Sequence, residues 1–278
     1  MGHFIELPKL VHPDFAVPNR KPVGAVEVDH QDKIPPPDHL YGFSNAGRLL
    51  DLAGGHHSNA FAGNTSIQRN RIRFDGTNNT QVSFPDTPEH PGDSSIFCSK
   101  TALTISAIIN ITGGTSPGII GDYAGGLVSA MVFLSSLGYV YFRTRCDTVQ
   151  KTINGTTNVV DGRDHHIIAQ YDGANMYLLV DGVQVATTTQ TGTTTGGYTK
   201  RLGIGSYAGV HTGNVPIGEI DHVAIWFSAP DRGAIAKNPY GYLKPSNPIT
   251  YFIPSAGGGG STILYDEYYK TLLSGSMM

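Results

Sequence analysis

The chain has 278 residues, enough for one large domain or two small ones, and 39% of them are hydrophobic, which supports a sizeable core. Charged residues make up only 15% and the formal net charge is −3, against about 25% charged residues in ordinary domains. No long Lys/Arg run occurs, so no nucleic-acid role is expected. The 35 glycines and 17 prolines argue against a helical bundle, because both residues interrupt helices.

Further classes fall on local grounds. The longest apolar stretch, around Leu127–Leu134, is far short of a bilayer span, so no membrane partner is expected. The stretch Met1-Gly2-His3-Phe4-Ile5-Glu6 lacks the charged-then-apolar pattern of a secretory signal. Cys98 and Cys146 are the only cysteines, too few for a disulfide framework or a cysteine-rich metal site. One bridge between them or two reduced core thiols both fit. The thiols are the expectation, since a bridge needs close Cβ atoms.

Three zones follow in chain order. Residues 1–47 hold Pro8, Pro13, Pro18, Pro22 and Pro35-Pro36-Pro37, a density that favours extended chain. Phe4, Ile5, Leu7, Leu10, Val11, Phe15 and Val17 make this arm too apolar for a plain linker. It reads either as a strap over its own domain or as an arm that docks on a neighbouring subunit.

Residues 48–240 read as many short strands. Over Ala102–Ile111, the residues Leu103, Ile105, Ala107, Ile109 and Ile111 share one face, and Thr104, Ser106, Ile108 and Asn110 the other. Leu127–Leu134 and Gly138–Arg145 form a pair around Ser135-Ser136. His166–Tyr171, Met176–Val180 and Val183–Thr187 follow, joined by Asp172-Gly173 and Asp181-Gly182, turns that supply positive φ. Leu202–Ile204 and Ile217–Phe227 come later, and only Asp231–Lys237 reads as a helix. Short strands with Gly-rich turns indicate an all-β antiparallel sandwich or jelly roll.

Residues 241–278 form a tail: Pro245, Pro248 and Pro254, then the linker-like Gly257-Gly258-Gly259-Gly260-Ser261. Ile263–Leu273 has helical spacing in part and reads as a short docking helix, with a strand or a disordered end as alternatives.

Candidate site residues are few. Asp75, Asn78 and Asn79 form an oxygen-rich turn that suits Ca²⁺ and is equally explained by turn chemistry, so no cofactor is expected, with calcium the one alternative. Tyr123, Tyr139, Tyr141, Tyr198 and Tyr207 are candidates for a glycan platform and also ordinary sheet residues. His165 and His166 are adjacent in a strand and point to opposite faces, so they do not share one metal ion. His56-His57 lies in a loop and reads as structural. No zinc-protease spacing, nucleophile elbow or phosphate loop is present. No residue is assigned a catalytic, cofactor or metal role.

The run from Asp161-Gly162-Arg163-Asp164-His165-His166 through Val180-Asp181-Gly182-Val183 resembles the signature hairpin of laminin-G-like, concanavalin-A-like jelly rolls. Ile72-Arg73-Phe74-Asp75-Gly76 and Gly218-Glu219-Ile220-Asp221-His222-Val223-Ala224-Ile225-Trp226 match that family's early and last strands in order. The resemblance implies a jelly roll over residues 48–240 and makes His165 and His166 structural, holding the turn before the hairpin. It is also similar to laminarinase-type glucanases, which carry Glu-x-Asp followed by a third acid. Here Glu219 and Asp221 stand at the first two positions, and His222, Val223 and Ala224 supply no third acid. A retaining mechanism then lacks its proton donor.

The flanks resemble tailed-bacteriophage structural proteins with a laminin-G-like domain. Pro22-Val23-Gly24-Ala25-Val26-Glu27-Val28-Asp29-His30 leads in, and Asn238-Pro239-Tyr240-Gly241-Tyr242-Leu243-Lys244-Pro245 leads out, with His30 and Tyr240 where that pattern has Trp. The resemblance implies a non-enzymatic virion structural protein, assembled in the host cytoplasm and shown on the particle surface. It would decorate the capsid or form part of a head or tail fibre, attached through 1–47 and 241–278. Other virion proteins, major capsid or tail proteins, are the implied partners, and a homo-oligomer is expected. Two alternatives stay open: a carbohydrate-binding adhesin for host-surface glycan, and a laminarinase-type glycosidase relic using Glu219 and Asp221.

Overall fold

The structure is a computed structural model, and it describes residues 3–4, 34–42, 49–54, 56–58, 61, 64–68, 71–77, 82–85, 95–124, 127–195, 201–206, 214–243 and 252–253. The chain divides into two compact units, 1–32 together with 243–278, and 33–242. In the first unit β1 (His3–Phe4) pairs antiparallel with β17 (Phe252–Ile253).

The second unit carries β2 (His39–Gly42), β3 (Leu50–Asp51), β4 (Ser66–Gln68), β5 (Arg71–Asp75), β6 (Val82–Ser83), β7 (Leu103–Gly113), β8 (Gly118–Ala124) and β9 (Leu127–Leu134). It continues with β10 (Tyr139–Cys146), β11 (Val149–Asn158), β12 (Asp164–Tyr171), β13 (Asn175–Val180), β14 (Val183–Thr189), β15 (Arg201–Ile204) and β16 (Ile217–Trp226), then helix α1 (Arg232–Lys237). Two antiparallel sheets result. One runs β11-β10-β9-β8-β15-β6; the other runs β14-β13-β12-β7-β16-β2-β3, with β5 beside β16 and β4 on β5. They face each other across an apolar core that includes Phe74, Ile109, Phe142, Ala169 and Ile225. This is the expected antiparallel sandwich, mostly β.

The period-two pattern of β7 places its odd-numbered apolar residues in that core, as the alternation predicts. The even face is buried as well: Thr104 and Ser106 are fully covered. The cover is the segment after β16. The Thr104 hydroxyl donates to the Ser228 carbonyl at 2.9 Å, Gln170 donates to the Pro230 carbonyl at 2.9 Å, and Tyr242 packs edge-on against Trp226 with centroids 5.0 Å apart. Asp231 caps α1 by accepting from Gly233 and Ala234, and Ile235 is fully buried beneath it.

The β13–β14 hairpin turns on Asp181 and Gly182, both at positive φ (52° and 80°). Gly218, at φ 146°, is demanded by close approach: a Cβ there would strike the Asn110 carbonyl of β7. Residues 34–42, read from the sequence as arm, are strand and strap of the second unit. β2 pairs with β16, and the Pro35 carbonyl accepts from the Trp226 indole at 2.8 Å. Prolines 35–37 lack donors, and the pairing begins only after them.

Candidate functional site

Register brings a polar row together on the outer face of the larger sheet. Asp164 of β12 lies opposite Asn110 of β7, and Asn110 lies opposite Glu219 of β16. Pairing between β16 and β7 slips between Ile220 and Val223. Ile220 and Val223 both enter the core, so the bulge turns Asp221 and His222 outward together.

Arg71 of β5 sits at the centre. Its Nη1 and Nη2 donate to the two oxygens of Asp164 at 2.7 and 2.6 Å, while Glu219 and Asp221 lie 3.9 and 3.8 Å away. Asn110 donates to Asp164 at 2.9 Å, and the Tyr240 hydroxyl donates to Asp221 Oδ2 at 2.8 Å. The bond from Arg71 holds the Asp164 carboxyl below the usual carboxylate range, against the opposing effect of burial. The same bond keeps the guanidinium charged. Burial and then Asp221 push the Tyr240 phenol up, so it stays a neutral donor. The arrangement offers hydrogen-bonding side chains and a half-buried ring at a partly exposed surface. Glu219 and Asp221 share the Arg71 cation.

Beneath this row runs a buried polar chain. Ser106 Oγ and His166 Nε2 share a hydrogen bond at 2.8 Å, and His222 Nε2 bonds the Tyr242 hydroxyl. Burial pushes the His166 imidazole down to about 4, with the nearby His222 lowering it further and Asp181 opposing. The Nδ1 atoms of His166 and His222 are buried and have no hydrogen-bond partner. His165, pointing the other way, is held by Asp181 at 2.7 Å and Asp161 at 3.0 Å, while Asp181 also accepts the His166 backbone N–H at 2.8 Å. Burial opposes protonation of His165, and the two carboxylates outweigh it and raise its pKa. Both histidines therefore brace the hairpin.

The other candidates separate. His56 and His57 belong to a knot around buried Asp51, whose oxygens accept from the backbone of Leu40, Ala53, Gly54 and His56 and from the His39 ring. His57 Nδ1 accepts the Asp51 backbone N–H at 3.0 Å. Asp75 accepts from Thr77 and from Asn64, while Asn78 and Asn79 lie outside the described residues. Among the described residues no group of His, Cys, Asp and Glu is arranged to hold a metal ion. Cys98 and Cys146 form no disulfide. Tyr141 packs edge-on against Phe133 with centroids 5.1 Å apart, as a sheet residue does; Tyr198 and Tyr207, and the tail residues Ile263–Leu273, lie outside the described residues. Sequence reasoning missed Arg71, Asn110, Asp164 and Tyr240 as one cluster. The only local signal was the polar residues that close the outward faces of β7 and β12.

Solved structures share the fold at low identity. The binding domain of Paraclostridial Mosquitocidal Protein 1 matches with a TM-score of 0.57 and 11% identity, covering 76% of this chain and 53% of that one. The binding domain of Botulinum Neurotoxin DC in complex with SialylT matches with a TM-score of 0.54 and 13% identity, covering 79% and 53%. A Trypanosoma rangeli sialidase in complex with sialic acid matches with a TM-score of 0.52 and 15% identity, covering 71% and 31%. The chain thus spans about half the length of the binding domains and a third of the sialidase. No curated protein sequence matches it. Residues 75–236, more than half of the sequence, match the laminin-G-like family described as the concanavalin A-like lectin/glucanases superfamily, and the chain belongs to that superfamily.

Proposed function

We propose that the chain is a non-enzymatic surface protein of a tailed-bacteriophage particle, with the jelly roll as the displayed body and the terminal segments as its attachment. The observation that carries this reading is the pairing of β1 with β17 outside the jelly roll. Residues 1–32 and 243–278 form a unit of their own, in which β1 meets β17. Paired extended segments outside the jelly roll suit an attachment element, because extended segments bind a partner surface through backbone pairing. The lead-in at 22–30 and lead-out at 238–245 support the phage assignment.

The test mixes purified full-length chain with particles of the same phage that lack it. A second sample lacks 1–32 and 243–278, with folding of the body checked by emission of its single tryptophan, Trp226. Stoichiometric binding that requires the terminal unit is expected. No binding by a folded full-length chain refutes the reading.

A second reading, compatible with the first, is glycan binding by the body, as in an adhesin. Arg71, Asn110, Asp164, Glu219, Asp221 and Tyr240 favour it, because planar polar side chains beside an aromatic ring suit sugar hydroxyls and sugar C–H faces. The neurotoxin domain and the sialidase named above, which share the fold, were solved with SialylT and sialic acid.

A further inference from the structure

The outer face of the smaller sheet is charged in a different way. β10 turns Val140, Phe142, Thr144 and Cys146 inward, all buried, and leaves Tyr141, Arg143 and Arg145 partly exposed on the other side. The two arginines are alternate residues of one strand, about 7 Å apart. Register sets Arg143 between Met131 of β9 and Thr152 of β11, with Gln150 beside Arg145 and Asn154 beside Tyr141. None of these neighbours is charged, and neither arginine has an ion pair among the described residues. Asp147, the next acid along the chain, accepts the Thr193 N–H at 3.4 Å instead. By contrast, Arg71 is bonded to Asp164, Arg163 lies 3.7 Å from Asp161, and Arg232 donates to Gln170 at 2.9 Å.

Arg143 is also held from behind. Its Nε donates to the Thr152 hydroxyl at 2.9 Å, and its guanidinium carbon lies 5.0 Å from the centroid of the Phe133 ring. Phe133 and Met131 are themselves buried. Nη1 and Nη2 of Arg143 have no hydrogen bond among the described residues. A guanidinium tied through Nε and packed on a ring has little freedom left to lose on binding. Its remaining fork matches a carboxylate, which it can hold through two parallel bonds.

From this geometry we infer that the outer face of the smaller sheet binds the carboxylate of an acidic sugar, with Arg143 as the two-bond anchor and Arg145 as a second cation. The inference rests on the reading of the body as a glycan binder but not on the Arg71 cluster, which belongs to the other sheet. The half-buried Tyr141 ring offers an apolar surface to the C–H face of the sugar, and exposed Gln150, Thr152 and Asn154 offer amide and hydroxyl partners to its hydroxyls. Two cations in a row suit one carboxylate better than a long polyanion, whose approach the net charge of −3 opposes.

The experiment titrates the full-length chain calorimetrically with oligosaccharides of one neutral backbone ending in glucuronic acid or sialic acid, each paired with its own carboxamide. At least one acid is expected to bind about fivefold more tightly than its carboxamide, the scale of one partly exposed ion pair. Raising salt narrows the gap. Arg143→Gln removes the preference, and Arg143→Lys, which keeps the charge without the fork, retains only part of it. Emission of Trp226 checks that both variants are folded. Equal binding of acids and carboxamides, or a preference that survives Arg143→Gln, overturns the inference and spares the glycan reading. Failure of all four compounds to bind refutes the glycan reading, and the inference falls with it.

Discussion

Replacing Asp51 with Asn probes how the N-terminal edge of the larger sheet is held. Oδ1 of Asp51 accepts from the backbone of Leu40, Ala53 and Gly54 at 3.0, 3.1 and 2.9 Å, and Oδ2 accepts from His56 N–H at 2.9 Å and from the His39 ring at 2.6 Å. An Asn can keep its carbonyl oxygen on the first three donors. Its amide nitrogen then faces the His56 N–H, donor against donor, and the pairing with His39 loses its charge. One buried donor left unsatisfied costs about 1–3 kcal/mol, and loss of the charged partner adds about 1 kcal/mol. The variant should therefore lose about 2–4 kcal/mol in urea unfolding followed by Trp226 emission, a site joined to the same edge through Pro35. The pH dependence sharpens the test. Burial alone would raise the Asp51 pKa, but the His39 bond and the backbone donors outweigh it and hold the carboxyl well below the usual range. A depressed carboxyl contributes stability above its unfolded pKa, near 4, and loses it as pH falls toward the folded value. The gap between wild type and Asp51→Asn should accordingly be full at neutral pH and shrink below about pH 4. A deficit under about 0.5 kcal/mol at pH 7, or one that stays constant down to pH 2.5, refutes this account.

Two other perturbations follow from the same structure. His166 has a folded pKa of about 4 because of burial, against about 6.5 unfolded, so the neutral ring contributes stability above 6.5 that is lost as pH falls to 4. His166→Gln, which can still reach Ser106, should flatten the stability–pH curve across that window, and an unchanged slope would count against a buried neutral imidazole. Gly205 sits at φ 75° with its open side against the Phe74 ring, so Gly205→Ala combines backbone strain with a core clash. A loss of about 2–4 kcal/mol in thermal or urea unfolding is expected, and wild-type stability would show that the close packing is not as described.

Much of the sandwich was legible because its strands alternate. β7, β9, β10, β12, β13 and β16 carry inward apolar residues at period two, and the Asp-Gly turns fall between them. β11 was not legible. Val149–Asn158 is an edge strand in which Ile153 and Gly155 alone are buried, so it shows almost no apolar signal. β8 was hidden by glycines, and Gly121 is needed there because a Cβ would press within 2.8 Å of Met131 Cγ. The candidate site was out of reach for another reason. Arg71 and Asp164 are separated by 93 residues, and no local motif joins them. Only the register of β12, β7, β16 and β5 does.

That register also changes what Glu219-x-Asp221 means. Alternate acids on a strand read as a hydrolytic pair when their face is open and one of them can keep a proton. Here β5 lays Arg71 between the acids and their neighbour Asp164, and the returning segment brings Tyr240 onto Asp221. The Arg71 guanidinium holds the Asp164 carboxyl in its ionised form. The same contacts leave Glu219 partly exposed and hold Asp221 in place through Tyr240. Glu219 and Asp221 are thereby tied into the ion pairs of Arg71 and the hydrogen bond of Tyr240, and the spacing of the two acids along the strand does not by itself give them a separate role.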